Sequence, residues 1–432
     1  MVIKTILIVF IALQFVYSMF TRVLTWKQRK KPLPESVAHI YDAEKYQKFL
    51  AYKKEYSQIS IATDVFSLLL NLFLILSGFY SMFDNSNPYI GFLQVLVILF
   101  VVETLVNLPI EYYATFHIEE KYGMNRKTKK EFAKDWLLEK VMSFVVTILF
   151  FCFIIFLCQK LPVWTNNFDV TYKESFLFCF GIVCALLVLI LILSLLSLLV
   201  MRLQYKFVEM EDGELKTKIL EFCKESKKKI KSIKVYDESK KSNSKNAFLL
   251  KFLWYREFGI ADNFLDENSQ DELLAVLLHE VGHLKHKKNI WNFIGYGIFL
   301  FLFAFLVWLI PNAQVIVDIN GAINKAFGLQ YTNYYLSFTA FSLILSPIMS
   351  IISIFNNFVS CKEEKEADFN AVDKGYGQAL IDTFTKVSED ELIDVNPHPM
   401  IEFLEYDHPG MAKRIGYIQE RIQRNKEKEE SN

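Results

Sequence analysis

LFCFGIVCALLVLILILSLLSLLV, residues 177–200, contains no Asp, Glu, Lys or Arg and exceeds the roughly 20 apolar residues that a helix needs to cross hydrocarbon. Its natural solvent is a bilayer. Working outward, the run belongs to a span over 175–201, and six further spans are expected near 5–21, 65–83, 89–108, 141–158, 290–310 and 335–359. The composition agrees: 53% of the 432 residues are apolar, with 40 Phe and 21 Tyr, too rich for an ordinary soluble domain. No A-x-A-like cleavage site follows the first apolar run, and a basic stretch over 27–31 comes next, which predicts a retained span.

Basic residues alternate between the connections. Residues 26–58 carry Lys27, Arg29, Lys30, Lys31, Lys45, Lys48, Lys53 and Lys54, and 111–140 is similarly basic. By contrast 84–88 has neither Lys nor Arg, 159–174 has Lys160 and Lys173, and 311–334 has Lys325. The basic side is the cytoplasmic one. Parity then puts 202–289 and the tail after Val359 in the cytoplasm as well. Lys plus Arg equals Asp plus Glu at 48 each, so the charge gives no reason to invoke nucleic acid. The six Cys form no C-x-x-C pair and read as reduced packing residues. Asp64 and Glu103 fall inside spans and are expected to face a helix interface or a wet interior, with no catalytic role. Pro347 is expected to kink the last span.

The chemistry is concentrated in DELLAVLLHEVGHLKHKK, which holds His279-Glu280-Val281-Gly282-His283, an H-E-x-x-H. Apolar residues at helical spacing and the lack of Pro put it on a helix. Residues four apart share a helix face, so the two imidazoles can converge on one ion while Glu280 reaches a water. Hydrolytic zinc takes three protein ligands and keeps a fourth position open. The third is sought in VSCKEEKEADFNAV, just beyond the seventh span, where Glu364 and Asp368 form E-x-x-x-D. Spans six and seven make a hairpin that returns both motifs to one membrane face. Glu364 is the expected ligand, with Glu363 and Glu366 as neighbours that a single sequence does not separate from it. Asp368 is expected to accept from the far nitrogen of a ligating imidazole. His286 reads as a solvated residue on the same helix.

These residues resemble the type I CAAX prenyl proteases, seven-span zinc endopeptidases, and the likeness covers most of the chain. LPIEYYATFHIEEKYGMNRKT (108–128) looks like the family's signature between spans three and four. SKNAFLLKFLWYREFGIADNFL is similar to its N-A-Y hairpin, matched by Asn246, Ala247 and Phe248, with Phe in place of Tyr. The resemblance implies that this edge strand pairs with extended substrate. YDHPGMAKRI resembles the family's H-P-x-x-x-x-R and carries it onto His408, Pro409 and Arg414; His398-Pro399 lacks the following Arg. The implied role of His408 is to hold the peptide carbonyl or oxyanion, with Arg414 supporting charge or structure nearby. One departure is clear: the family's Ser-Arg before the third ligand is Ser360-Cys361 here, followed by Lys362.

The expected architecture is therefore mainly α: seven transmembrane helices with a small cytoplasmic α+β zinc protease domain of gluzincin type, enclosing a chamber by family likeness. Residues 1–202 form the N-terminal membrane domain and 203–289 the cytoplasmic segment with H-E-x-x-H. Spans six and seven occupy 290–359, and 360–432 supply the third ligand. The expected activity is peptide-bond hydrolysis with one Zn2+ per chain and Glu280 as general base. Its partners are a peptide or protein substrate, lipidated in the family's case, and membrane lipids. Alternatives are quality control of membrane proteins without prenyl specificity, a small-molecule hydrolase, or a zinc-holding scaffold; a closed structural site would not need Glu280. The short tail favours a bacterial inner membrane, with the endoplasmic reticulum as the alternative.

Overall fold

The computed structural model describes residues 2–160, 171–225, 230–252, 255–285, 301–305 and 314–431. The chain is mainly helical. It begins with α1 (Val2–Arg29), α2 (Ala43–Leu76), α3 (Pro88–Tyr113), α4 (Lys129–Lys160) and α5 (Tyr172–Gln204). A small α+β region follows, with β1 (Phe207–Glu209), α6 (Glu214–Glu225), β2 (Ser232–Tyr236), β3 (Ala247–Phe252), β4 (Tyr255–Ala261), α7 (Asp262–Glu267) and α8 (Gln270–Lys285). The described chain ends with α9 (Gln314–Ala326), α10 (Tyr334–Val372), α11 (Gly377–Asp390), α12 (Pro399–Glu405) and α13 (Met411–Glu430).

Among the described residues, 6 helices are long and apolar enough to cross a membrane: α1, α2, α3 with its continuation to Tyr122, α4, α5 and α10. They carry six of the expected spans; the one over 290–310 lies outside the described residues apart from the helical 301–305. Leu187, Val188, Ile190 and Ile192 of α5 point outward, as residues solvated by lipid do.

Two helix boundaries differ from expectation. α2 begins deep in the basic segment, where Asp42 caps it by accepting from the Lys45 N–H at 2.7 Å. It stops at Leu76 rather than Phe83, because Gly78 turns the chain at φ +73° into a 3-10 turn over Phe79–Phe83. α10 runs unbroken for 39 residues past Pro347, so the last span and the E-x-x-x-D segment are one rod. Asp64 accepts from Ser18 Oγ at 2.6 Å and Arg22 Nη2 at 2.7 Å, a polar tie between α2 and α1. Glu103 lines a cavity of about 480 Å³ between α3, α4 and α10, with Lys140 on the facing wall.

The four strands are ordered β1-β2-β4-β3. β2 and β4 are parallel, β1 and β3 are antiparallel to their neighbours, and β3 is an edge. Arg202, at the end of α5, ion-pairs with the fully buried Glu257 of β4, which also accepts from Ser232 Oγ at 2.7 Å. A membrane helix is thereby fastened to the sheet.

α8 has three working faces. Leu273, Leu274, Leu277 and Val281 pack on the sheet and α6. Ala275 and Leu278 enter a second core with Ile118 and Tyr122, residues of the 108–128 motif, and with Ala371 and Ile415. Such helical spacing leaves His279, Glu280 and His283 to the remaining face.

Candidate metal centre

α8 and α10 cross at Gly282. A Cβ built there would lie 2.7 Å from the Ala367 Cα, a backbone atom that no rotamer change can move aside. Asn370 Nδ2 donates to the Leu278 carbonyl at 2.6 Å and fixes the same crossing. Gly282 was read in the sequence only as a filler of the motif. In the fold it sets how closely the histidines approach the second helix.

That approach brings one ligand atom each from His279, His283 and Glu364 within 4.8 Å of one another. The two Nε2 atoms are 3.2 Å apart. His283 Nε2 lies 3.1 Å from Glu364 Oε1, and His279 Nε2 lies 3.4 Å from Oε2. Of the neighbouring acids, Glu364 is the one buried at this crossing, whereas Glu366 is exposed and Glu363 half-buried. Glu280 is half-buried on the same helix and stands outside the converging set.

His279 Nδ1 is 2.8 Å from Asp368 Oδ1. Asp368, fully buried, also accepts from Arg414 Nη2 at 2.6 Å, Arg414 Nε at 2.9 Å and Tyr417 Oη at 2.5 Å. A proton on His279 Nδ1 leaves its Nε2 lone pair facing His283 and Glu364. Burial opposes a charge on His279, but Asp368 and then Glu364 outweigh it and push its pKa up to about 9. A pocket that stabilises a cation on the imidazole also suits a cation between the imidazoles.

The donor set fits zinc. Glu364 Oε2 is buried without a hydrogen-bond partner among the described residues, a costly state unless something positive meets it. Ligand atoms about 2.0–2.1 Å from a tetrahedral ion stand about 3.3 Å apart, close to the separations above.

His408 Nε2 is 3.3 Å from Glu364 Oε1, and its Nδ1 is 2.8 Å from Asp407. Its side chain is 52% exposed, so the imidazole stands at the mouth of the cluster. Arg414 is buried, stacked 4.2 Å over the Phe384 ring and turned to Asp368, with Nη2 3.6 Å from Glu364 Oε2. It sits behind the carboxylates, away from the mouth. Tyr417 was missed in the sequence; its signal is the three-residue spacing from Arg414 on one helix. Cys361 donates to the Tyr406 carbonyl at 3.5 Å and makes no ionic contact of the kind an arginine would. His286 lies outside the described residues.

Asn246, Ala247 and Phe248 open the edge strand β3, which runs beside α8. The Ala261 N–H donates to the Asn246 carbonyl at 2.9 Å, so Asn246 and Phe248 turn their backbone toward β4 while Ala247 and Leu249 turn theirs outward. The Phe248 ring lies across Gly259, where any Cβ would collide with it, and 5.4 Å from the Tyr236 ring. It therefore packs on the sheet and fixes register.

Comparison with known proteins covers nearly the whole chain. Residues 22–198 match the family described as CAAX prenyl protease N-terminal, five membrane helices, and residues 209–422 match peptidase family M48. The chain is 28% identical over 416 residues to the probable CAAX prenyl protease 1 of Schizosaccharomyces pombe, covering 90% of this chain and 82% of that protein. It is 27% identical over 432 residues to CAAX prenyl protease 1 of Saccharomyces cerevisiae, covering 92% and 91%. The crystal structure of S. mikatae Ste24p superposes with a TM-score of 0.81 at 23% identity, over 96% of this chain and 99% of that one, which establishes a shared fold.

Proposed function

This chain belongs to the CAAX prenyl proteases of peptidase family M48, and on that premise we propose that His279, His283 and Glu364 hold one zinc ion and that Glu280 is the general base of peptide-bond hydrolysis. The observation that carries this reading is the convergence of the three donors around an orphaned buried carboxylate oxygen. When bound, zinc polarises the scissile carbonyl and brings the pKa of water to about 7. Glu280 takes the proton of the attacking water and passes it to the leaving amine. Asp368 holds His279 in its ligating tautomer, and Arg414 with Tyr417 holds Asp368. His408, at the mouth, steadies the carbonyl oxygen as it gains charge. Substrate backbone pairs with the outward N–H and C=O groups of Ala247 and Leu249, an added strand on an existing edge.

The seven-span count, the enclosed chamber and the cytoplasmic position of the site belong to the same reading, supported by the shared fold and by the basic connections. Cysteines introduced at Lys241 and Lys325 are expected to label from opposite sides of the membrane; labelling of both from the cytoplasm contradicts this topology. The relatives named above are eukaryotic, which supports the endoplasmic reticulum over a bacterial inner membrane.

Their names supply the substrate class, an isoprenylated C-terminal peptide. Purified protein given a farnesylated and an unlipidated peptide of the same sequence is expected to favour the first by at least about tenfold in kcat/KM, which corresponds to about 1.4 kcal/mol. A chelator should abolish both reactions. Equal rates on the two peptides would remove the prenyl specificity and leave the zinc endopeptidase standing; chelator-resistant cleavage would remove the zinc as well.

A further inference from the structure

A second built cavity lies away from the metal. It has a volume of about 440 Å³ and opens between the cytoplasmic halves of α1 and α2, with Arg22, Arg29, Lys53 and Ser57 among its walls. Each arginine is only partly satisfied. Arg22 gives Nη2 to Asp64 at 2.7 Å, yet its Nε is buried with no acceptor among the described residues. Arg29 is paired once, through Nε to Asp394 at 2.7 Å. Lys53 makes no ion pair among the described residues and rests against rings, 5.0 Å from Tyr52 and 5.9 Å from Phe49. The carboxylate on the wall, Glu405, is engaged by the Tyr17 hydroxyl at 3.1 Å. Unspent N–H donors around a roomy polar cavity call for an anion.

The setting identifies the kind of anion. Next to the cavity-lining stripe of α1 runs an outward stripe of Leu13, Val16, Phe20 and Val23, all exposed, and Ile61 and Val65 are exposed on α2. These residues continue from the cavity toward the middle of the membrane, at the level where the basic segment gives way to apolar helix. A cationic pocket at the cytoplasmic surface with an apolar track leading into the bilayer matches an amphiphile that has an anionic head. We infer that this cavity binds the headgroup of an anionic phospholipid from the cytoplasmic leaflet, with its acyl chains along the α1 stripe. The inference rests on the helix pair and is independent of the reaction assigned to the metal centre.

The test is native mass spectrometry of the purified full chain in detergent, offered phosphatidylserine or phosphatidylcholine of matched chains. At least about tenfold higher retention of phosphatidylserine is expected. Lys53→Gln and, separately, Ser57→Asp should erase the preference while peptidase activity and zinc content stay at the starting level, and Lys53→Arg should keep it. Equal retention of the two lipids by the unaltered protein overturns the proposal without any variant. So does undiminished phosphatidylserine retention in Ser57→Asp, which covers the case in which Lys53→Gln does not fold. Excess inorganic phosphate is expected to leave the lipid in place; if it displaces the lipid fully, the site is one for free anions and the lipid assignment fails.

Discussion

Glu280→Gln is expected to lower kcat by a factor on the order of 10²–10⁴ while the purified protein keeps its zinc. Gln preserves the volume and most of the hydrogen bonding of Glu but accepts no proton from water. The fold gives little reason for collateral damage. Glu280 lies on the site-facing side of α8, half-buried and outside the converging donor set, whereas the faces that pack α8 against the sheet and the second core are formed by Leu273, Leu274, Leu277, Val281, Ala275 and Leu278. A change at Glu280 should therefore act on the chemical step and spare both stability and metal retention. Metal analysis and single-turnover cleavage on the same sample separate the possibilities. Full activity with zinc in place would disprove the general-base role, and loss of zinc from a folded variant would make Glu280 a ligand, contrary to the geometry.

The sequence made the membrane character and the metal motif legible because each is written locally. An apolar run such as 177–200 needs no partner to be recognised, and the spacing of His279 and His283 places both imidazoles on one helix face wherever that helix goes. Glu364 was reachable because a hairpin of spans returns the chain to the same surface. The sequence did not separate it from Glu363 and Glu366, since rotation of α10 about its axis depends on the contact with α8 at Gly282 and Ala367. The support behind the metal was less legible for the same reason. Arg414 and Tyr417 meet Asp368 only because α13 packs against α10, a long-range contact that leaves no periodic trace in either segment. Helix ends went astray where a single residue decides them, as Gly78 does for α2.

The larger structural effect is expected at Asp368, which never touches the ion's open position. Asp368→Asn removes a charge that three donors share: His279 Nδ1, the Arg414 guanidinium and the Tyr417 hydroxyl. Asn offers one acceptor oxygen and an NH2 that would face donors, so at least one of them is left unmet. Arg414 has the most to lose, because it is buried and its next carboxylate is Glu364, with Nη2 already 3.6 Å from Oε2. Deprived of Asp368, the guanidinium becomes a competitor for the oxygen that zinc needs. Loss of a partner that orients a ligating imidazole costs about 10–100-fold in metal affinity, and an uncompensated buried charge costs about 3–5 kcal/mol of stability. Both losses should appear together, as zinc release at lower chelator concentration and a lower melting temperature in detergent. The competition argument adds a sharper expectation. Arg414→Met combined with Asp368→Asn should hold zinc more tightly than Asp368→Asn alone, since the stranded cation has gone. If the double variant is no better than the single one, Arg414 does not compete for Glu364 and the coupling between these two carboxylates is wrong.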